Sequence, residues 1–235
     1  MKVNGKSTQT IWLSEDKQNV QIIDQTKLPF EFKVVTLNCF EDAFKAIKNM
    51  LVRGAPLIGV TGAYGVFLAA KENKDLKFIE SACHYLNSAR PTAVNLSWAL
   101  NRMLKKAFDS KPNNIIENLR NEANEILEED INFCENIGKY GCEIIKDLYN
   151  KKKRTINILT HCNAGWLATV DWGTATSPIY KAFNDKIPIH VWVDETRPRN
   201  QGSFLTSWEL GEHGVSHTVI ADNTGGHLMQ NGQVD

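Results

Sequence analysis

Residues 155–161 read TINILTH, residues 187–195 read IPIHVWVDE and residues 216–223 read SHTVIADN. Each is a short β-branched run ending in polar or acidic residues, and each is separated from the next by a stretch long enough for a helix. That β-α-β-α-β alternation predicts parallel strands in a doubly wound sheet. In such sheets ligands sit at the carboxyl ends of the strands. Those ends are THCNAG, DETRPRNQG and ADNTGG, three polar, glycine-containing loops predicted to converge on one edge.

Upstream of the first run, residues 150–154 read NKKKR. Four positive charges suit a helix C-terminus, whose free carbonyls favour cations, and the boundary between two domains, 1–150 and 151–235, is placed there. Residues 114–150 carry apolar side chains at three- and four-residue intervals, which fits one long helix or two consecutive ones. The same period marks residues 39–52 and 95–108. Between them PLIGVTGAYGVFLAA (residues 56–70) opens on a helix-starting proline, and Gly59, Gly62 and Gly65 leave a side flat enough for another backbone to approach. Residues 10–13 and 20–24 read as two strands across the polar turn SEDKQ. The predicted class is therefore α/β: an N-terminal domain with a small sheet and several helices, then a Rossmann-like parallel-sheet domain.

The composition bounds the function. At 235 residues and 42% hydrophobic content the chain has an ordinary globular core, and 27 Lys+Arg against 27 Asp+Glu leave no net field to draw it to nucleic acid or an anionic membrane. The N-terminal residues lack a signal-peptide pattern, so a cytoplasmic location is expected. Five scattered cysteines without a CxxC pair argue against a disulfide framework and a thiolate metal site. G-x-G-x-x-G and G-x-x-x-x-G-K-[ST] are both absent, and His190, His213, His217 and His227 lack the H-x-x-x-H pair with its acidic base, H-E-x-x-H.

Cys162 stands out because it lies in a loop of small and polar residues, between a strand-like run and a helix-like one, rather than inside an apolar pattern. At a strand-to-helix turn, free N–H groups and the helix dipole would favour its thiolate. In DETRPRNQG, Arg197 and Arg199 are candidate anion forks and Gln201 offers an amide to a hydroxyl; the alternative is surface pairing of those arginines with Asp194 and Glu195. Arg53, ahead of Gly54, Ala55 and a helix-opening proline, fits either a phosphate cradle or a tight connection between helices. Arg90 reads as a surface residue at the mouth of another helix.

Taken in order, RGAPLIGVTGAYG, ARPTAVNLSWA, THCNAGWLATVDWGTA, VDETRPRNQG, LTSWEL and DNTGGHLM resemble the 5-methylthioribose-1-phosphate isomerase family, relatives of the regulatory subunits of eukaryotic initiation factor 2B. The resemblance runs from IIDQTKLP at Ile22 to Gln233. It implies a homodimer formed through the second domain and a cofactor- and metal-free conversion of a small phosphorylated sugar, 5-methylthioribose 1-phosphate, to its ketose in methionine salvage. It also implies that Cys162 is catalytic and that Arg53, Gly54, Ala55, Arg90 and Gln201 contact substrate. The related substrates 5-deoxyribose 1-phosphate and ribose 1,5-bisphosphate, and a non-catalytic initiation-factor-type subunit, are the alternatives. The family's catalytic aspartate lies in a later strand ending G-[AT]-D-R, followed by an Asn-Lys pair, whereas this chain ends at NGQVD. The resemblance thus implies little isomerase activity from these 235 residues alone and an incomplete sheet with an exposed edge.

Overall fold

The computed structural model describes residues 1–3 and 5–235. Lys2–Val3 (β1) and Lys6–Ser7 (β2) pair antiparallel, and Ile11–Leu13 (β3), Val20–Ile23 (β4) and Val34–Leu37 (β5) form a separate antiparallel sheet in the order β3-β4-β5. The helices Phe40–Lys48 (α1), Ala55–Glu72 (α2), Leu76–Asn87 (α3), Val94–Phe108 (α4) and Ile115–Lys152 (α5) follow. The third sheet is parallel, in the order β6-β7-β8, from Ile156–Thr160 (β6), Ile189–Asp194 (β7) and His217–Ile220 (β8). Its connections hold Ser177–Asn184 (α6), then a π-type turn, Gly202–Thr206, running into Ser207–His213 (α7); Thr224–Gln230 (α8) follows β8. The alternation read from three β-branched runs is thus a parallel sheet.

The chain divides into two compact units. One, the helical unit, comprises Thr10–Lys27 and Glu31–Asp130; the other, the sheet unit, comprises Met1–Gln9, Leu28–Phe30 and Ile131–Asp235. The division falls inside α5, between Asp130 and Ile131, rather than at Asn150. Periodicity shows where a helix ends and says nothing about what each of its turns packs against. The C-terminal half of α5 lies on α6: Ser177 Oγ donates to the Cys134 carbonyl at 2.7 Å, and a Cβ on Gly141 would stand 2.5 Å from Pro178 Cγ.

In the helical unit, α2 is buried all round from Leu57 to Ala70. A Cβ on Gly59 would meet the Asn95 carbonyl oxygen at 3.0 Å and one on Gly62 would meet Leu96 Cδ1 at 2.5 Å, so both glycines exist for the approach of α4. Gly65 faces Leu86 of α3 and Ala43 of α1 instead. The contacts run in the same direction along both helices, from Gly59 against Asn95 to Gly62 against Leu96 and Leu100, so α2 and α4 start at the same end.

One polar cluster ties α4 to α5. Arg102 Nε donates to Glu122 Oε1 at 2.6 Å, its two terminal nitrogens bind Glu129 at 2.5 and 3.0 Å, and Lys106 reaches Glu122 Oε2 at 2.8 Å. Burial opposes ionisation of Glu122, but hydrogen bonds from Lys106 and Arg102 overcome it and hold the carboxyl below its ordinary range. Arg102→Ala leaves Glu122, 7% exposed, short of its fork, and is expected to destabilise the chain by about 3 kcal/mol in urea denaturation. Arg102→Lys should recover little, because a point charge cannot serve both carboxylates.

Candidate active site

β6 ends at Thr160, and the next two residues leave the sheet in different ways. His161 is exposed and places Nδ1 3.0 Å from Oδ2 of Asp194, the last residue of the neighbouring strand. Cys162 is half-buried and adopts a left-handed backbone, φ 60°. A non-glycine residue holds that conformation only when its surroundings impose it. Two threonines from other loops do so. The Cys162 N–H donates to Thr196 Oγ1 at 2.7 Å, and Thr206 Oγ1 donates to the Cys162 carbonyl at 2.6 Å.

The expected helix directly after Cys162 is not there. Trp166–Ala168 is a single 3-10 turn and α6 opens only at Ser177. The Cys162 amide is bound to a hydroxyl rather than lying at a helix mouth, so the dipole argument for its thiolate falls away. A loop that wraps a buried side chain replaces the helix. Asn163 Nδ2, Trp166 N–H and Leu167 N–H all point at the Glu209 carboxylate, which a periodicity reading cannot foresee.

The second loop, from Glu195 to Gln201, is held by the third. Asp222, just after β8, accepts the Thr196 N–H at 2.7 Å and the Arg197 N–H at 2.8 Å, and those amides, Arg197's foremost, keep its carboxyl below the ordinary range. Thr196 Oγ1 also donates to the Asp194 carbonyl at 3.1 Å. Both Thr196 and Asn200 have positive φ, 61° and 56°. Asp194 pairs with His161, not with Arg197 or Arg199. The loop ends of all three strands are thereby knitted together by hydrogen bonds, as the convergence argument expects.

Gln201 is half-buried at the start of the π-type turn. Gly202 behind it has a packing role beyond marking a loop: a Cβ there would lie 1.7 Å from the Asp194 carbonyl oxygen. The sequence signal for Gly202 was its place in the NQG run. Thr196, Thr206 and Asp222, which fix the geometry, carried no signal of their own, since threonines and aspartates are ordinary in loops.

Arg53, Gly54, Ala55 and Arg90 belong to the helical unit, whereas Cys162 and Gln201 belong to the sheet unit. Gly54, φ 89°, precedes the first residue of α2, with Pro56 next in the helix. Arg90 lies in the turn before α4, its carbonyl accepting the Ala93 N–H at 3.0 Å. Because α2 and α4 start at the same end, the RGA segment and Arg90 come to one end of that helix pair, where free N–H groups favour an anion. Arg90 is thus half-buried beside a helix mouth rather than an ordinary surface residue.

Among the described residues two groups of possible metal ligands have their donor atoms within 4.8 Å of one another: His161, Asp194 and Asp222, and Cys39, Glu41 and Glu72. In the first, both Asp222 oxygens are taken by amides and one Asp194 oxygen by His161, which makes the group a hydrogen-bonding hub. In the second, burial, with Glu41 and Asp42 nearby, pushes the Cys39 thiol up, the wrong direction for a thiolate ligand. Among the described residues no helix is long and apolar enough to cross a membrane.

The sequence matches the Initiation factor 2 subunit family over residues 51–235. It is 56% identical over 236 residues to methylthioribose-1-phosphate isomerase of Rhodospirillum centenum and 57% identical over 235 residues to that of Paramagnetospirillum magneticum, alignments that take in all of this chain but 63% and 65% of those proteins. The chain thus spans less than two thirds of the length of these curated relatives. The structure of 5-methylthioribose 1-phosphate isomerase from Pyrococcus horikoshii OT3 superposes with a TM-score of 0.86 at 38% identity, covering 98% of this chain and 64% of that one. Translation initiation factor eIF-2B subunit delta from A. fulgidus gives 0.84 at 39% identity, over 97% and 66%. With both sequence and fold matched along nearly its whole length, the chain belongs to the initiation factor 2 subunit family.

Proposed function

We propose that the chain carries the thiol site of an aldose-ketose isomerase acting on 5-methylthioribose 1-phosphate. The observation that carries this reading is the setting of Cys162: a half-exposed thiol at the carboxyl edge of a parallel sheet, on a left-handed backbone imposed by Thr196 and Thr206. Support also comes from the names of relatives more than 50% identical over the whole chain.

In the proposed reaction the bond between C1 and the ring oxygen opens, with a proton delivered to that oxygen. The Cys162 thiolate takes the hydrogen on C2 as a proton and returns it to C1, while the C2 hydroxyl loses its proton and becomes the carbonyl. Atoms and electrons balance within the sugar, so no oxidant enters. A thiolate acting in this way is general acid-base catalysis, and donors aimed at the developing oxyanion would stabilise the enediolate. The RGA segment and Arg90 would bind the phosphate, and the Gln201 amide would bind a sugar hydroxyl. A homodimeric, cytoplasmic enzyme is part of the same proposal.

Proton NMR of 5-methylthioribose 1-phosphate, incubated with this chain and with the product of the complete reading frame that encodes it, tests the proposal. Appearance of the ketose 1-phosphate, faster than from 5-deoxyribose 1-phosphate or ribose 1,5-bisphosphate, is the expected result. Absence of ketose from all three substrates with either protein overturns it.

A further inference from the structure

Glu209, on α7, is completely buried, and the proposed chemistry does not use it. Its Oε1 accepts from Asn163 Nδ2 at 2.7 Å and from Leu167 N–H at 3.0 Å; its Oε2 accepts from Trp166 N–H at 3.0 Å and from the Tyr180 hydroxyl at 3.0 Å. All four partners are neutral. An unpaired buried carboxylate is costly unless donors surround it, and here they do, two on each oxygen.

Three of those four donors come from the five residues that follow Cys162. Asn163 Nδ2 is also 3.2 Å from Thr206 Oγ1, the hydroxyl that donates to the Cys162 carbonyl. The wrapping is tight, for a Cβ on Gly165 would stand 1.9 Å from Glu209 Oε2. With every lone-pair direction occupied and no exposed face, Glu209 cannot exchange a proton with a substrate directly. It can act only through the loop.

We propose that Glu209 is a positioning residue: the template on which residues 163–167 fold, fixing the backbone of Cys162 from its C-terminal side and so the direction of the thiol. The inference deepens the isomerase reading and rests on it only for the work that the thiol does.

Chemistry gives the template a pH dependence. Burial pushes the Glu209 carboxyl up to about 7, against hydrogen bonds from Asn163, Leu167, Tyr180 and Trp166 that pull it down. A proton on either oxygen would displace one of the four donors, so the grip on the loop slackens as pH falls below that value. The Tyr180 phenol is held well above its ordinary range by burial and by Glu209. His213, edge-on to Tyr180 at 4.8 Å, is held below its ordinary range by burial and by the N-terminal amine. Asp171 pairs with that amine at 2.6 Å.

The test is the rate at which iodoacetamide alkylates Cys162 between pH 6 and 9, read by peptide mass spectrometry, with buried Cys134 as the sentinel for unfolding. In the unmodified chain the Cys162 rate should show an inflection near pH 7, from Glu209, on top of the general rise of thiol alkylation with pH. Glu209→Gln keeps the shape but turns a donor toward a donor; it should remove the inflection and change the rate about tenfold, with Cys134 still protected. Should Glu209→Gln expose Cys134, Asn163→Ala, which cuts the link between loop and carboxylate, is expected to do the same at smaller amplitude. An unchanged Cys162 profile in a folded variant of either kind overturns the proposal and leaves Glu209 a core residue only. Alkylation needs no turnover, so a failure of the isomerase reading would appear separately, in the NMR assay.

Discussion

Gly202→Ala is expected to destabilise the chain by more than about 4 kcal/mol and to lower its melting temperature by roughly 10 °C. The added Cβ would lie 1.7 Å from the Asp194 carbonyl oxygen and 2.8 Å from the Asp194 carbonyl carbon. Neither atom is the free end of a flexible side chain. Asp194 ends the central strand of the parallel sheet, and its carbonyl already accepts from Thr196 Oγ1, so retreat would pull on both the sheet and the loop that holds the Cys162 amide. Movement of the π-type turn would shift Thr206, which holds the Cys162 carbonyl. Gly226 in α8 is the control, because a Cβ there meets nothing within 4 Å. Gly226→Ala should change stability by less than about 0.5 kcal/mol. Equal melting temperatures for the two variants would show that the clash is relieved at no cost.

That glycine also marks how far the sequence could be read. Its place in NQG was legible as a loop position, while its reason, a strand backbone against its α-carbon, is a long-range fact. The same split runs through the molecule. β6, β7 and β8 were visible as short β-branched runs, although none of the four residues of β8 is buried, and α1, α4 and α5 because one buried face writes a 3.6-residue period. β5, Val34–Leu37, is a β-branched run of the same length as β8, with only Leu37 buried. The hairpin of β1 and β2 has two-residue strands, too short for any period.

Among the candidate residues, Cys162 and Gln201 stood out because small and polar residues at strand ends are the signature of a loop that meets a ligand. Glu209 did not. LTSWEL reads as the start of an ordinary surface helix, and nothing local says that its one carboxylate turns inward to meet donors from a loop more than forty residues earlier. Composition can suggest that a helix has a polar face, but only the fold decides which polar side chain is swallowed. The helix expected after Cys162 failed for the same reason: Trp166, Leu167, Ala168 and Val170 are buried in a loop that wraps Glu209 and makes only a single 3-10 turn.

Cys162→Ser is expected to lower turnover of 5-methylthioribose 1-phosphate by about a thousandfold or more, in whichever form of the protein supports the reaction. The substitution exchanges a sulfur for an oxygen on a residue whose backbone is anchored at both ends by Thr196 and Thr206, so the loop should keep its shape and the melting temperature should stay close to that of the parent. What changes is basicity. An ordinary cysteine thiol ionises around pH 8.5, within reach of a neutral solution, whereas a serine hydroxyl yields almost no alkoxide there. Removing a proton from C2 of the sugar needs the ionised form, and neither the arginines proposed to bind the phosphate nor Gln201 supplies another base. KM should move little, because the proposed phosphate and hydroxyl contacts are untouched by the substitution. A Cys162→Ser enzyme that keeps its kcat would remove the thiol from the chemistry and move the search for the base to His161, whose Nδ1 is bound to Asp194.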